Sequence, residues 1–246
     1  MVAYKINKID ETKSTNDLLK QLICKEQLTE GYTIVALTQT AGKGQLGAYW
    51  ESAQKQNITM SILLRPEFIK ANQMFLVSKV VSLGIVSYLN THGEQFKIKW
   101  PNDIYFNDKK ICGVLIENQL MGDSILYSVV GIGLNVNQEF FVSDAPNPIS
   151  LHNIFNRKFD IDNEIPSLLK QIESWYRLLA DGGEALINKH YFANLYRTDA
   201  FYQFKTAEGV VFDGKITNVE TNGKLSIIDT QNKTREFLFK EVEFII

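Results

Sequence analysis

Two stretches of the chain carry residue types that could hold a charged ligand. The first is Gln39-Thr40-Ala41-Gly42-Lys43-Gly44-Gln45-Leu46-Gly47. Gly42, Gly44 and Gly47 let the backbone approach a ligand and turn N–H groups toward an anion, and Lys43 adds a cation. Such a loop can also close over a site and exclude water. Lys43 lacks the following Ser or Thr of a Walker loop, so that kind of nucleotide cradle is not expected. Taken alone, the glycine pattern equally fits a plain connection between strands. The second stretch is Lys99-Trp100-Pro101-Asn102-Asp103, with Lys110-Ile111-Cys112-Gly113 behind it. Pro101 ends a strand and sets the direction of the two polar residues after it. An amide beside a carboxylate at a strand end suits a polar ligand edge and a hydrated Mg2+, with Asp103 the candidate metal ligand. Pro-Asn-Asp is also ordinary turn chemistry. Lys110 follows a turn, where a solvated lysine is commonplace, but the small Cys112-Gly113 beside it would leave room for a ligand.

Other stretches are weaker on their own. Ser14-Thr15-Asn16 reads first as a helix cap, although three hydrogen-bonding side chains in a row could also face a polar ring. Gly131-Ile132-Gly133-Leu134-Asn135 reads as a strand bend. Trp50 reads as core, or as a ring stacked on a purine. His92, His152 and His190 share no ligand spacing, so no zinc site is expected.

Elements must bring these residues together. Residues 4–9 read as a short edge strand. Ser14 or Thr15 caps a helix with Asp17 in its first turn and Leu18, Leu19, Leu22 and Ile23 as its apolar stripe. Residues 32–39 and 57–64 read as strands on either side of the glycine loop, and Pro66 stops the second. A long apolar helix is expected over 72–90, with Gly84 marking close packing. Residues 96–100 alternate as a strand, 103–106 and 111–118 form a hairpin about Asn107-Asp108-Lys109, and 125–130 form another strand. The pattern changes after Pro146 and Pro148. Helices follow over 163–180 and 184–195, with Pro166 near the start of the first. From Ala200 only short strands remain, with turn signals at Glu208-Gly209, Asp213-Gly214 and Asn222-Gly223. The expected fold is α+β, with a mixed β-sheet flanked by helices over residues 1–197 and a small β-barrel over 198–246.

The chain's 246 residues are 45% hydrophobic, enough for one large domain, or one domain and a small appendix. A net charge of -2 and a pI near 6.0 leave no broad basic field of the kind that marks a dedicated nucleic-acid binder. Cys24 and Cys112 sit in apolar patterns and are expected to be buried free thiols in a reducing compartment. The N-terminus lacks the apolar core of a signal peptide, and no uninterrupted apolar run approaches a membrane span. These readings point to a cytoplasmic protein with neither membrane nor DNA as partner.

Five stretches now stand in a recognisable order. Ser14-Thr15-Asn16, Gln39 with its glycine loop and Trp50, Lys99 to Asp103, Lys110 to Gly113, and Gly131 to Asn135 resemble those of biotin–protein ligases. The resemblance is to the form without an N-terminal DNA-binding domain, since Ser14 already belongs to the catalytic part and leaves no room for a winged helix. It is strong from about residue 9 to 155 and looser beyond. It implies that Ser14, Thr15, Asn16 and Gln39 bind the ureido ring of biotin. Lys43, Gly44 and Gln45 would lie in a loop that closes over biotin and the adenylate, with Gly42 and Gly47 shaping its nucleotide side. Lys110, beside Gly113, would reach the biotin carboxylate and the α-phosphate. Asn102, Asp103 and Asn135 would serve nucleotide and Mg2+, with Lys99 near the phosphates and Trp50 against the adenine. The C-terminal barrel would resemble a Src-homology-type domain.

The resemblance also implies a reaction. Biotin and ATP would give biotinyl-5'-AMP, whose biotinyl group passes to a lysine of a biotin carboxyl carrier protein, such as that of acetyl-CoA carboxylase. Mg2+ would accompany the ATP, and the enzyme would be a monomer or weak homodimer. One stretch departs from the family pattern, Gly-Arg-Gly-Arg-x-Gly-Arg. Here Lys43, Gln45 and Ala48 stand at the arginine positions. Lipoate–protein ligases resemble the same fold, but their Arg-Arg and Gly-Gly-Gly signature is missing. A non-catalytic biotin sensor is the reading from another class.

Overall fold

The computed structural model describes residues 2–93, 95–143 and 147–246, with only the backbone of Leu46. Pro146, where a change of pattern was expected, lies outside the described residues. Strands β1 (Lys5–Thr12), β2 (Tyr32–Gln39), β3 (Ile58–Leu64), β4 (Phe96–Lys99), β5 (Asp103–Phe106), β6 (Lys109–Met121) and β7 (Ser124–Leu134) form one sheet in the order β1-β2-β3-β7-β6-β5-β4. β1 and β2 run parallel, joined through helix α1 (Thr15–Lys25), and the other neighbours pair antiparallel. The sheet is mixed, as expected. Residues 131–134 continue β7 rather than bending it.

Alternation along the strands gives the sheet two unlike faces. Ile58, Met60 and Ile62 of β3, Val130 and Ile132 of β7, and Cys112 and Val114 of β6 join a core with α2 (Phe75–Leu89). The buried stripe of α4 (Ile161–Ala180), with Ile165, Leu168, Leu169 and Ile172, closes that core from outside. A Cβ on Gly84 would stand 2.6 Å from Ile172 Cα, so the missing side chain allows the two helices to touch. Ala71–Leu89 is long and apolar enough, at mean hydropathy 1.2, to cross a membrane, although Lys79 interrupts its apolar run. In this protein 78% of that window is buried inside the fold. The other face of the sheet is covered only in part, where Leu19 of α1 meets Ile34, Leu63 and Val129. Beyond that apolar contact the same face carries Thr59, Ser61, Gly113, Gly131 and Gly133.

Helix α3 (Leu151–Phe155), absent from the sequence reading, is fixed by reciprocal bonds between Ser150 and Asn153. Helix α5 (Glu184–Ala193) follows α4. Strands β8 (Tyr202–Thr206), β9 (Val211–Val219), β10 (Leu225–Asp229), β11 (Thr234–Phe237) and β12 (Val242–Phe244) form an antiparallel sheet in the order β11-β10-β9-β8-β12. No ladder joins β11 to β12 among the described residues, so the expected barrel is not closed. Asp213-Gly214 is not a turn but lies inside β9. A Cβ on Gly214 would stand 2.4 Å from Ile227 Cγ2, so this glycine serves packing between strands. Cys112 is buried as expected, whereas Cys24 is exposed near the end of α1.

The C-terminal sheet is held to the rest by polar contacts as well as by a shared core. Phe75 N donates to Thr221 O at 3.0 Å, and Trp100 Nε1 donates to Gly223 O at 3.0 Å. Lys79, 1% exposed in the middle of α2, donates to Val219 O at 2.6 Å and to Asn188 Oδ1 at 2.7 Å. Burial lowers the Lys79 pKa from 10.5 to about 8, with Glu184 and Glu220 opposing the shift. The unfolded chain therefore binds the extra proton between those values. Stability gains with rising pH across that window, by up to about 1.4 kcal/mol per pH unit, and the gain is lost as pH falls back across it, with no further change below the lower value. Urea midpoints between about pH 8 and about pH 10 should rise for the native chain relative to Lys79→Met, which has no proton to bind.

Candidate active site

Gly113 of β6 and Gly133 of β7 are cross-strand partners, and Gly131 pairs with Leu115 on one side and Ser61 on the other. Their lack of side chains is used. A Cβ on Gly133 would stand 2.3 Å from Trp50 Cε2, and one on Gly113 would stand 2.9 Å from Trp50 Cζ3. The indole therefore lies on the paired glycines. A Cβ on Gly131 would stand 2.4 Å from Asn16 Oδ1. The glycines of β7 make room for two side chains laid over the sheet. Around them opens a cavity of about 350 Å³, within the usual range for small-molecule sites.

One end of the cavity is neutral and polar. Ser14 caps α1 by accepting from Asp17 N at 3.4 Å, which points Thr15 and Asn16 of the first turn at the sheet. Gln39, at the end of β2, accepts from Thr15 N at 2.9 Å and from Thr15 Oγ1 at 3.2 Å through Oε1. Asn16 Nδ2 donates to Leu115 O at 3.2 Å and Glu117 Oε2 at 2.8 Å. Both readings of Ser14-Thr15-Asn16, cap and cavity wall, thus apply at once.

The other end is cationic. Lys99, Lys110, Lys43 and Lys240 line the cavity together with one carboxylate, Asp103. Lys99 and Asp103 are partners on β4 and β5, and Asp103 faces Gly113 across β5 and β6. Lys110 Nζ lies 2.7 Å from Asp103 Oδ1 and 5.5 Å from the Trp50 ring centre. Lys99 Nζ lies 5.2 Å from the Tyr105 ring and 4.9 Å from that of Phe244 in the C-terminal sheet. Burial lowers the Lys99 pKa; Asp103 opposes this, while Lys110 and Arg197 add to it. Asn102 also lines the cavity, its Nδ2 donating to Val114 O at 2.5 Å. Lys240 was missed by sequence reasoning. It follows β11 in a lysine-bearing loop with no local signal, and only the docking of the C-terminal sheet brings it here.

The glycine loop folds back on itself at the mouth. Gly42 O accepts from Trp50 N at 3.0 Å, and a Cβ on Gly42 would stand 2.4 Å from Trp50 O. Gly47 has φ +86°, a conformation that favours glycine. Lys43 pairs with Asp17 of α1 at 2.5 Å. Burial raises the Asp17 pKa, but hydrogen bonds from Lys43 and Lys20 outweigh it and hold the carboxyl below its ordinary value. Gly44, Gln45 and Ala48 line the cavity; Gly42 and Gly47 do not. Asn135 also stands off the wall. It is buried, with Nδ2 donating to Ile149 O at 3.0 Å. Every other candidate from the sequence lines the cavity. Among the described residues, no group of three His, Cys, Asp or Glu could hold a metal ion. A single carboxylate engaged by Lys110 suits Mg2+ carried mainly by phosphates and water.

The model of the biotin/lipoate A/B protein ligase family matches residues 9–135, which contain all of these stretches. The chain belongs to this family. It is 32% identical over 222 residues to the bifunctional ligase/repressor BirA of Bacillus spizizenii, covering 87% of this chain and 66% of that protein. It thus spans just under two thirds of that relative's length. It is 25% identical over 170 residues to the biotin–[acetyl-CoA-carboxylase] ligase of Paracoccus denitrificans, covering 67% of this chain and 70% of that one. Among solved structures, the biotin protein ligase of Aquifex aeolicus in complex with biotin and ATP superposes with a TM-score of 0.80 at 26% identity, covering 97% of both chains.

For this ligase-family chain the geometry makes a direct prediction. Gly133→Ala places a methyl group against the Trp50 indole and should cost about 1–3 kcal/mol of stability. Trp50→Ala in the same chain removes the clash. The double variant should then be more stable than the sum of the two single losses, by urea denaturation. Strict additivity would mean that the indole does not rest on Gly133.

Proposed function

We propose that this chain activates biotin with MgATP to biotinyl-5'-AMP and transfers the biotinyl group to a lysine of a biotin carrier domain in the cytoplasm. One observation carries the reading. A single cavity joins a neutral end, rich in hydrogen-bonding groups, to an end lined by Lys99, Lys110 and Asp103. A cyclic urea suits the first, and a carboxylate meeting a triphosphate suits the second. In the first step a carboxylate oxygen of biotin attacks the α-phosphorus, and the bond to pyrophosphate breaks. Lys110, which can reach both carboxylate and phosphate, would offset charge on the phosphoryl oxygens, with Lys99 supporting it. In the second step the acceptor amine attacks the acyl carbon and AMP leaves with the bonding electrons. Asp103 would orient that amine or accept its proton. Trp50 would present the ring face not occupied by glycine to adenine. Residues 1–197 would form the catalytic domain and 198–246 the appended one.

A lipoyl group suits the neutral end less well. Its dithiolane ring can pair with neither Gln39 nor Asn16, and polar groups buried unpaired each cost about 1–3 kcal/mol. Mass spectrometry of a carrier domain after incubation with the chain, ATP and biotin should show one added biotinyl group. Addition from lipoate instead would favour the dithiolane reading, and biotin binding without transfer would favour a sensor.

Lys110→Ala should slow biotin-dependent pyrophosphate release by a hundredfold or more, equivalent to about 3 kcal/mol of transition-state stabilisation, with circular dichroism unchanged. A fully active variant would remove Lys110 from the chemistry.

The glycine loop offers a second test. Gln45 and Ala48 line the cavity where the family pattern has arginines, and Lys43 is paired with Asp17. Each missing charge-assisted bond to the adenylate phosphate would cost about 1.5–3 kcal/mol, less where solvent screens it. The intermediate should therefore escape and acylate lysines of bystander proteins. Gln45→Arg should slow adenylate release in stopped flow by roughly tenfold and lower background labelling. An unchanged release rate would mean that other contacts already hold the intermediate.

A further inference from the structure

We infer that Ser61 and Glu117, neither of which lines the cavity, are positioning residues that fix the amide of Asn16 with its oxygen as the free acceptor, and so select a ring ligand that carries an N–H. The inference rests on the proposed biotin chemistry. It follows from counting hydrogens behind the cavity wall. Asn16 is 3% exposed and Ser61 is fully buried. Asn16 stands over β7 at Gly131, with Ser61 on the adjoining β3 strand and Leu115 on β6. On the β6 side the amide meets two acceptors, Leu115 O at 3.2 Å and Glu117 Oε2 at 2.8 Å. Neither oxygen has a proton to give. The NH2 group must face them, and both of its hydrogens are used there. A flipped amide would set its oxygen against a carbonyl and a carboxylate.

The amide oxygen therefore points to Ser61, whose Oγ lies 2.6 Å away. The same Oγ lies 2.7 Å from Thr15 Oγ1. A hydroxyl has one proton, and Asn16 Oδ1 has none, so the Ser61 proton belongs to Asn16, and Ser61 Oγ accepts from Thr15 Oγ1, whose proton it shares with Gln39 Oε1. That leaves one lone pair on Oδ1 and no donor on Asn16. Gln39 is fixed with the opposite sense. Its Oε1 is taken by Thr15 N and Thr15 Oγ1, so its Nε2 supplies the donor. The end of the cavity thus offers an acceptor and a donor side by side, and their sense is set by residues the ligand never touches. Glu117 is itself held by Lys20 at 2.7 Å through its second oxygen, so its orientation does not depend on the ligand.

The experiment measures binding of biotin and of its cyclic carbamate analogue, with one ring N–H replaced by oxygen, by titration calorimetry, together with KM and kcat for biotin and for ATP. The native chain should prefer biotin. Ser61→Ala should weaken biotin about tenfold and shrink the preference over the carbamate, because the amide oxygen loses the donor that holds it in place. KM for ATP and kcat should stay near native, and Ser61→Thr, which keeps the hydroxyl, should restore the preference. Glu117→Gln, at a partly exposed position, should act in the same direction and decides the matter if Ser61→Ala does not fold. Equal discrimination in native, Ser61→Ala and Glu117→Gln chains would overturn the inference while leaving biotin as the substrate. A native chain that binds no biotin would overturn the proposed function as well.

Discussion

The site depends on side chains that are not there. Gly113, Gly131 and Gly133 sit on neighbouring positions of two central strands, on the sheet face that α1 leaves uncovered. Glycine in a strand interior is normally a loss, in backbone entropy and in packing. Here the loss is offset because Trp50 and Asn16 lie directly on the backbone, with contacts that a single methyl group would prevent. The indole and the amide then become the floor on which a ligand would rest. Their height above the sheet is set by backbone rather than by a flexible side chain. On the opposite face of the same strands Cys112, Val114, Val130, Ile132 and Leu134 pack into the core with α2, so the sheet resists shifting to relieve a bad fit on the ligand side.

The floor and the mouth of the cavity belong to one chain of contacts. Asn16 holds Glu117, Glu117 holds Lys20, Lys20 lies 3.2 Å from Asp17, and Asp17 holds Lys43 of the glycine loop. Asn16, the innermost, is buried with both amide hydrogens used, which makes it costly to perturb. The outer members are surface ion pairs, each worth little by itself. The arrangement is therefore stiff where orientation matters and soft where the loop must open to admit a ligand. The tie between Lys43 and α1 would also keep that lysine from a phosphate in the cavity unless the pair parts.

Most of the sheet and both long helices were legible because their signal is local: alternation, a stripe at helical spacing, a capping serine. What failed was non-local. Asp213-Gly214 carries turn chemistry, but its glycine answers a contact with Ile227 on the next strand. Gly131 and Gly133 look like a bend for the same reason; the side chains that require them are far away in sequence. Cys24 follows an apolar pattern, yet α1 covers only one edge of the sheet and leaves it exposed. Nothing local explains Lys79 in the middle of an apolar helix; it is buried by α5 and the C-terminal sheet. Within the site, residues that declare themselves in short motifs were found. Ser61, Glu117 and Lys240 were not, since a serine and a glutamate in strands and a lysine in a loop have no distinctive neighbours.

The pairing of Lys110 with Asp103 bears on how one cavity could serve two unlike steps. Each group is only partly exposed, at 25% and 17%, and a lone charge so placed would be costly. Paired, they wait without that cost. In the proposed reaction a nucleotide brings phosphate oxygens that compete for Lys110, and the ammonium turns to the greater negative charge. Asp103 then loses its partner at the stage when an acceptor ammonium must enter and give up a proton. A carboxylate freed in this way would attract that ammonium and, as the one carboxylate lining the cavity, could accept the proton. The first step would thereby prepare the second without a separate base, with Lys99 beside Asp103 on the next strand.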